Sequence, residues 1–385
     1  MNNFIYGNTT KVYFGKGGVK EYLCCLLKNV GDAVMLAYGG GSIKKNGIYD
    51  EVTAILQKAG KTVVDFSGIM PNPTYAKVQE GAKLARENHV DFILAVGGGS
   101  VIDCCKIVSA QARVSEDIWE MEMVKRNYPS DFVPMGAIVT AAGTGSEMNN
   151  GAVITNEDKK IKCGLMGAQA QFVFLDPSYT MSVPFKQVIS GAFDTLSHAM
   201  ETYFGKPEDN NLSDDIGEAV MRSVIRNIRI LLSDHENYDA RSELMWASSM
   251  AENGILKIGK ITDFQCHQIE HQLGAYTDCN HGQGLAVIHP VLYRHIYKDG
   301  VERFARFAEN VWGIKDKKNT EKTALAGVEA LAAFIEEIGL PTSFTQMGIP
   351  ADTDFHAVAD STNITAGCCK KLSHDEIYKI LQECI

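Results

Sequence analysis

Positive charge is scarce in this chain: 37 Lys and Arg stand against 47 Asp and Glu, a formal net charge of −10. Neutralising phosphates takes an excess of Lys and Arg, so nucleic acid and an anionic membrane are excluded as main partners and a small molecule is expected. Long apolar runs are missing too. No stretch approaches the ~20 apolar residues of a membrane span, and no charged segment leads into an apolar one at the N-terminus, so the protein is expected in the cytoplasm. Paired cysteine motifs are the third absence. Six of the ten cysteines fall in vicinal pairs (Cys24–Cys25, Cys104–Cys105, Cys368–Cys369) and no CxxC occurs. Neither a secreted disulfide framework nor a zinc ribbon fits, which leaves free thiols in a reducing compartment.

What is present is an ordinary globular composition, 45% hydrophobic and 22% charged, over 385 residues. That length exceeds one comfortable core and predicts two domains. Up to about residue 184, short apolar or β-branched runs alternate with glycine turns and helical patterns: AVMLAY (33–38), KTVVDF (61–66), DFILAV (91–96), MGAIVT (135–140) and QFVFLD (171–176). Such alternation predicts a parallel sheet flanked by helices. Pro177 and Pro184 mark a linker. From Phe185 the apolar residues recur at helical spacing, as in VIRNIRILL and ALAGVEALAAFIEEIGL, with no convincing strand. The expected fold is an α/β dinucleotide-binding domain over 1–184 followed by an all-helical metal-binding and catalytic domain over 185–385.

Three glycine-rich turns follow predicted strands. Gly97-Gly98-Gly99-Ser100 sits between DFILAV and the helical pattern VIDCCKIVSAQA. Glycines there admit a pyrophosphate to the backbone, and the helix N-terminus offers free N–H groups and a positive dipole end. Gly39-Gly40-Gly41-Ser42 repeats the arrangement after AVMLAY, and Thr140-Ala-Ala-Gly-Thr-Gly-Ser-Glu147 adds hydroxyls after a third strand. Strand-to-helix corners also use glycine for steric reasons alone, but two copies on neighbouring strands strengthen the phosphate reading. Neither copy has the GxGxxG spacing of the common dinucleotide fold.

The helical half concentrates metal-ligand residue types. FDTLSHAMETYF carries Asp194 and His198 at i and i+4, one helical face one turn apart. FQCHQIEHQLGAYTDCNHGQG (264–284) repeats that spacing with His267 and His271, and adds His281 after a turn-rich segment. One carboxylate with two or three imidazoles makes a divalent transition-metal site with room for substrate or water. Singly, such residues belong more often to a surface or a core. Together they give five candidates for about four ligand places, with Cys279 as an outside contender, so one histidine is spare. A spare imidazole near neutrality suits proton transfer.

GGGSVID, TAAGTGSE, FDTLSHAMETY and HQIEHQLGAYTDCNHGQG, in this order, resemble the iron-containing (group III) alcohol dehydrogenases, and within them the NADPH-dependent butanol dehydrogenase branch. The resemblance covers nearly all of the chain. It implies a dehydroquinate synthase-like architecture, with a nucleotide-binding α/β domain, a helical metal domain and a catalytic cleft between them. It implies Asp194, His198, His267 and His281 as metal ligands and His271 as the non-ligand histidine beside the nicotinamide. It further implies that Gly97, Gly98 and Ser100 contact the pyrophosphate, that Asp103 lies near the nicotinamide end, that Thr140 and Lys162 line the cofactor, and that Gly39, Gly40 and Ser42 lie near the adenosine ribose. Lys159 and Lys160 compete with Lys162 for its role.

The expected reaction moves a hydride between NADP(H) and a short- or medium-chain alcohol or aldehyde, with Fe2+ by resemblance and Zn2+ as a possibility on donor chemistry. NADPH is preferred to NADH because the 39–42 turn holds no carboxylate to repel a 2′-phosphate. Asp65, after the next strand, is the rival feature. A homodimer is the family expectation. The readings set against this one are a glycerol dehydrogenase-like or dehydroquinate synthase-like protein, a metal-dependent hydrolase without dinucleotide, and a merely structural metal site.

Overall fold

The computed structural model describes residues 1–208, 211–315, 319–367 and 369–385. Cys368, half of one vicinal pair, lies outside the described residues, and the nine described cysteines are all free thiols. Among the described residues eight strands form: β1 (Lys11–Phe14), β2 (Ala33–Tyr38), β3 (Thr62–Phe66), β4 (Phe92–Gly97), β5 (Met135–Val139), β6 (Gly151–Asn156), β7 (Ile161–Met166) and β8 (Phe172–Leu175). Six of them make one sheet in the order β1-β8-β5-β4-β2-β3, parallel throughout. Every residue of β4 and β5 is buried, the condition of a parallel sheet covered on both faces and the reason these runs are apolar without alternation.

Helices α1 (Gly18–Leu26) and α2 (Ile48–Lys58) pack Val19, Leu23, Ile48, Val52 and Leu56 against Leu36, Leu94 and Ile138 of the sheet. Helices α3 (Tyr75–Glu87) and α4 (Gly99–Gln111) complete this unit. The antiparallel hairpin β6–β7 was not foreseen from the sequence. Its strands carry Gly151, Asn156, Lys162 and Gly164 among their apolar residues, which hides the strand pattern.

The rest is helical: α5 (Phe185–Tyr203), α6 (Leu212–Ser233), α7 (Tyr238–Glu252), α8 (Gln265–Thr277), α9 (His281–Ile296), α10 (Val301–Trp312), α11 (Thr320–Glu337), α12 (Phe355–Ser361) and α13 (His374–Glu383). Among the described residues no strand follows Leu175, and no helix is long and apolar enough to cross a membrane. The fold is therefore α/β plus all-α, as the periodicities imply. By contacts the chain forms two compact units, Gly7–Pro184 and Phe185–Ile385 with Met1–Tyr6. The first six residues thus leave the half expected to hold them: the Asn2 N–H donates to the Gly259 carbonyl at 3.0 Å. A segment so short carries no periodicity by which its partner could be read.

Helix α5 shows how the helical unit positions chemistry. Ile189, Phe193, Leu196 and Met200 enter the core, each worth roughly 1.5–3 kcal/mol on burial. Asp194, His198 and Glu201 form a second stripe at i, i+4 and i+7, and they are buried as well. Buried carboxylates are costly unless paired or bound to a cation, so this stripe needs partners.

Candidate metal centre

The partners come from α8 and α9. His267 lies in the first turn of α8, which Phe264 opens and Asp278 closes, both in the left-handed backbone region that disfavours side chains. His281 is the first residue of α9. Asn280 fixes that position: its side chain accepts from the Gln283 N–H as an N-cap and contacts Ser190 Oγ of α5 at 2.5 Å. The two glycines of NHGQG have steric reasons. A Cβ on Gly282 would stand 2.3 Å from the Ser190 carbonyl oxygen, and one on Gly284 would stand 2.8 Å from Glu270 Cγ.

These elements bring three imidazoles to one oxygen. Asp194 Oδ1 lies 3.4 Å from His267 Nε2, 3.4 Å from His281 Nε2 and 3.7 Å from His198 Nε2. Donors about 2.1 Å from an ion at tetrahedral angles stand roughly 3.4 Å from one another, so the spacing is that of ligands around a cation. Among the described residues, Asp194 Oδ1 and His267 Nε2, both facing this centre, are buried without a hydrogen-bond partner. The residues fit the metal that this donor set implies. Asp194, His267 and His281 form a mutually close set, with ligand atoms within 4.8 Å of one another. His198 stands outside it, with its ring stacked on His267 at 4.6 Å between centroids.

Without an ion the carboxylates and imidazoles pair with one another, and a bound cation would take the place of the His267 proton. Burial works to raise the Asp194 carboxyl, but His198, His281 and His267 hold it well below the usual carboxylate range. Burial would lower His267, yet Glu201 and Asp194 outweigh it and push the imidazole up to about 10. His198, buried with less compensation, is pulled down.

Two residues of this centre escaped the sequence reading. Glu201 meets His267 Nδ1, and Glu270 meets His281 Nδ1. Their signals were present, since Glu201 extends the Asp194–His198 stripe and Glu270 sits between His267 and His271 on one face of α8. His271 is buried, its ring 5.9 Å from that of His267 and 5.6 Å from that of His281. With Glu270 and His281 it makes a second close set. The hydrogen-bond contact between Glu270 and His281 leaves no room for an ion between those two atoms. Cys279 Sγ lies 3.8 Å from Glu270 Oε1, outside both sets.

The α/β unit holds the other expected residues. Tyr38 pairs with Val96 and Gly97 with Val139, so the carboxyl ends of β2, β4 and β5 lie side by side, each followed by one of the three turns. Such an edge is where open α/β sheets bind ligands. Gly39 and Gly40 follow β2, and Gly41, at φ 99°, leads into the short helix Ser42–Lys45. Gly97 ends β4, Gly98 is the N-cap of α4 with no side-chain cap, and Ser100 stands in its first turn. Part of the glycine requirement here is packing: a Cβ would lie 2.5 Å from Val101 Cγ2 at Gly97 and 2.2 Å from Thr144 Oγ1 at Gly99. The Thr140 N–H donates to the Gly97 carbonyl at 3.0 Å.

Asp103 commits both carboxylate oxygens to the protein, to Ser146 Oγ and to the Val153 N–H at 3.0 Å. Lys106, one turn on and fully buried, joins that network through Ser146, Asn149 and the Gly151 carbonyl. Lys162 on β7 is buried and donates to Asn72 Oδ1 at 2.9 Å, whereas Lys159 and Lys160 are exposed on the hairpin turn.

Comparison with known proteins decides the family. The model of the iron-containing alcohol dehydrogenases matches residues 9–177, and that of the Fe-containing alcohol dehydrogenase family C-terminal region matches 188–385. The chain belongs to the iron-containing alcohol dehydrogenase family. It is 39% identical over 355 residues to NADH-dependent butanol dehydrogenase A of Clostridium acetobutylicum, covering 91% of each chain. It is 36% identical over 357 residues to the NADPH-dependent aldehyde reductase YqhD of Escherichia coli, covering 91% of this chain and 90% of that one. The crystal structure of NADH-dependent butanol dehydrogenase A from Thermotoga maritima superposes with a TM-score of 0.94 at 33% identity, over 100% of this chain and 99% of that one. Family membership makes the chain an oxidoreductase and implies iron and a nicotinamide cofactor, and its relatives divide between NADH and NADPH.

Proposed function

We propose that this protein interconverts short- to medium-chain alcohols and aldehydes with NADP(H), using a divalent metal held by Asp194, His198, His267 and His281. The observation that carries the reading is the cluster of three imidazole nitrogens 3.4, 3.4 and 3.7 Å from one buried Asp194 oxygen. Fe2+ is the expected ion, with Zn2+ an alternative for the same donors. When bound, these groups supply Lewis acidity to the substrate oxygen and two-electron transfer at the nicotinamide.

The chain's own residues do the rest. His271, beside the ligands and outside the Asp194 set, receives and returns the hydroxyl proton. Gly97, Gly98 and Ser100 hold the pyrophosphate at the N-terminus of α4. Thr140 and Lys162 line the cofactor, and Asp103 ties the turn at Ser146 to strand β6 at Val153 beside it. Gly39, Gly40 and Ser42 receive the adenosine ribose, and the choice of NADPH over NADH gains support from Asp65. That carboxylate accepts from Tyr38 OH at 2.6 Å and Tyr49 OH at 3.3 Å, with Lys44 Nζ 4.0 Å away and stacked on both rings. So engaged, Asp65 has part of its charge offset by Lys44 and the two tyrosine hydroxyls, which lessens the repulsion it would set against a 2′-phosphate. The protein works as a cytoplasmic homodimer in this reading.

Initial rates over a panel of aldehydes and alcohols with NADPH and NADH, after loading Fe2+ or Zn2+ without oxygen, test it. Metal-dependent reduction of straight-chain aldehydes with the higher kcat/KM for NADPH is expected. A higher value for NADH defeats the cofactor choice, and no turnover of any aldehyde or alcohol by the metal-loaded protein with either dinucleotide defeats the oxidoreductase reading.

A further inference from the structure

Of the three imidazoles around Asp194, two are held from behind and one is not. Glu201 Oε2 contacts His267 Nδ1, and the same carboxylate accepts from the backbone N–H groups of Cys266 at 2.6 Å and His267 at 3.3 Å. Glu201 therefore caps α8 from α5, at a helix start whose own N-cap residue, Phe264, offers no side-chain cap. Ring and backbone of His267 are fixed by one buried carboxylate. Glu270, fully buried on α8, contacts His281 Nδ1 at the start of α9, and the missing Cβ of Gly284 is what lets that helix approach it. The Nδ1 of His198 is buried without a hydrogen-bond partner.

An imidazole that donates its Nδ1–H to a carboxylate has its tautomer and its ring plane set, with the Nε2 lone pair aimed the other way. In both cases that direction is toward Asp194 Oδ1. We propose that Glu201 and Glu270 are positioning residues that set the affinity of the metal site by fixing His267 and His281 as Nε2 ligands. His198 is the ligand with no such carboxylate bonded to its Nδ1 among the described residues. The inference rests on the metal reading above and adds to it two residues and an order among the ligands.

Exchange of Glu for Gln tests this, because it keeps side-chain volume and an acceptor oxygen while removing the charge. The measurements are the Zn2+ dissociation constant of the full-length protein by competition with a chelating dye, the visible absorption bands of the Co2+-loaded protein, and the melting temperature without metal. For Glu201→Gln and for Glu270→Gln, Zn2+ affinity is expected to fall about 10–100-fold with altered Co2+ bands; the metal-free melting temperature is expected to hold for Glu270→Gln and to fall for Glu201→Gln, whose carboxylate also caps α8. Gly284→Ala, which crowds Glu270 without touching its charge, is expected to weaken Zn2+ in the same direction. A wild type that binds neither ion would sink the metal reading itself. A wild type that binds them, beside Gln variants within about threefold of it, overturns the positioning role and leaves the metal reading standing. A Gln variant that no longer folds marks its carboxylate as structural and overturns the proposal for that residue.

Discussion

His267 and His271 stand one turn apart on one helix, yet they face different environments. His267 points its Nε2 at Asp194 from a ring locked by Glu201, whereas His271 lies with Glu270 and His281 outside the Asp194 set. His271→Ala is therefore expected to keep its metal, measured by elemental analysis, while turnover drops on the order of 10²–10⁴-fold, the scale of a lost acid–base group. Loss of metal would mean that His271 is a ligand. Residue types and spacing in the sequence were enough to nominate all five candidates, because Asp and His at i and i+4 leave a mark that survives without coordinates. The supporting carboxylates left a fainter one, since Glu on a helix is common and only burial distinguishes Glu201 and Glu270. Cofactor choice is also a matter of single residues. A Cβ on Gly39 would come 3.1 Å from the Ile69 carbonyl oxygen, while Gly40 has open space, so a carboxylate is best added at Gly40. Gly40→Asp is expected to lower the ratio of kcat/KM for NADPH to that for NADH about tenfold or more, equivalent to ~1.4 kcal/mol, which one like-charge contact near a protein surface can supply. An unchanged ratio would place the 2′-phosphate elsewhere.

At the scale of elements, the centre depends on how closely α9 begins against α5 and α8. Gly282 is the tightest point, because its missing Cβ is all that separates it from the Ser190 carbonyl oxygen. Gly282→Ala forces α9 away from α5 and carries the adjacent His281 with it. Overpacking of this kind costs roughly 1–3 kcal/mol, so a lower melting temperature is expected together with reduced metal content. A variant of normal stability and full metal content would show that α9 accommodates the methyl group by bending elsewhere. The helices themselves were legible from the periodicity of their apolar residues, and the sheet strands from their unbroken apolar runs. What the sequence did not disclose was crossing distance, because a glycine that admits a neighbouring helix looks like a glycine that makes a turn. The hairpin β6–β7 was lost for a related reason. Its buried polar residues break the alternation by which a strand is recognised: Asn156 accepts from the Lys159 N–H of the hairpin's own turn, and Lys162 reaches Asn72 far along the chain.

For the molecule as a whole, the change of pattern near Pro184 marks where one hydrophobic core gives way to another. The residues proposed for the dinucleotide lie in Gly7–Pro184, and those proposed for the metal lie in Phe185–Ile385. A ligand that binds only the folded state stabilises it by about 2.7 kcal/mol at 100 times its dissociation constant, and the gain is felt first by the elements that touch it. Hydrogen exchange read by mass spectrometry should therefore separate the two. Zn2+ alone is expected to slow exchange in α5, the first turns of α8 and the start of α9. NADPH alone is expected to slow it at residues 39–42 and 97–100 and in the first turn of α4, where amide groups without side-chain caps await an anion. Zn2+ protection confined to the α/β unit, or NADPH protection that spares both glycine turns, would show that the ligands had been assigned to the wrong halves of the chain.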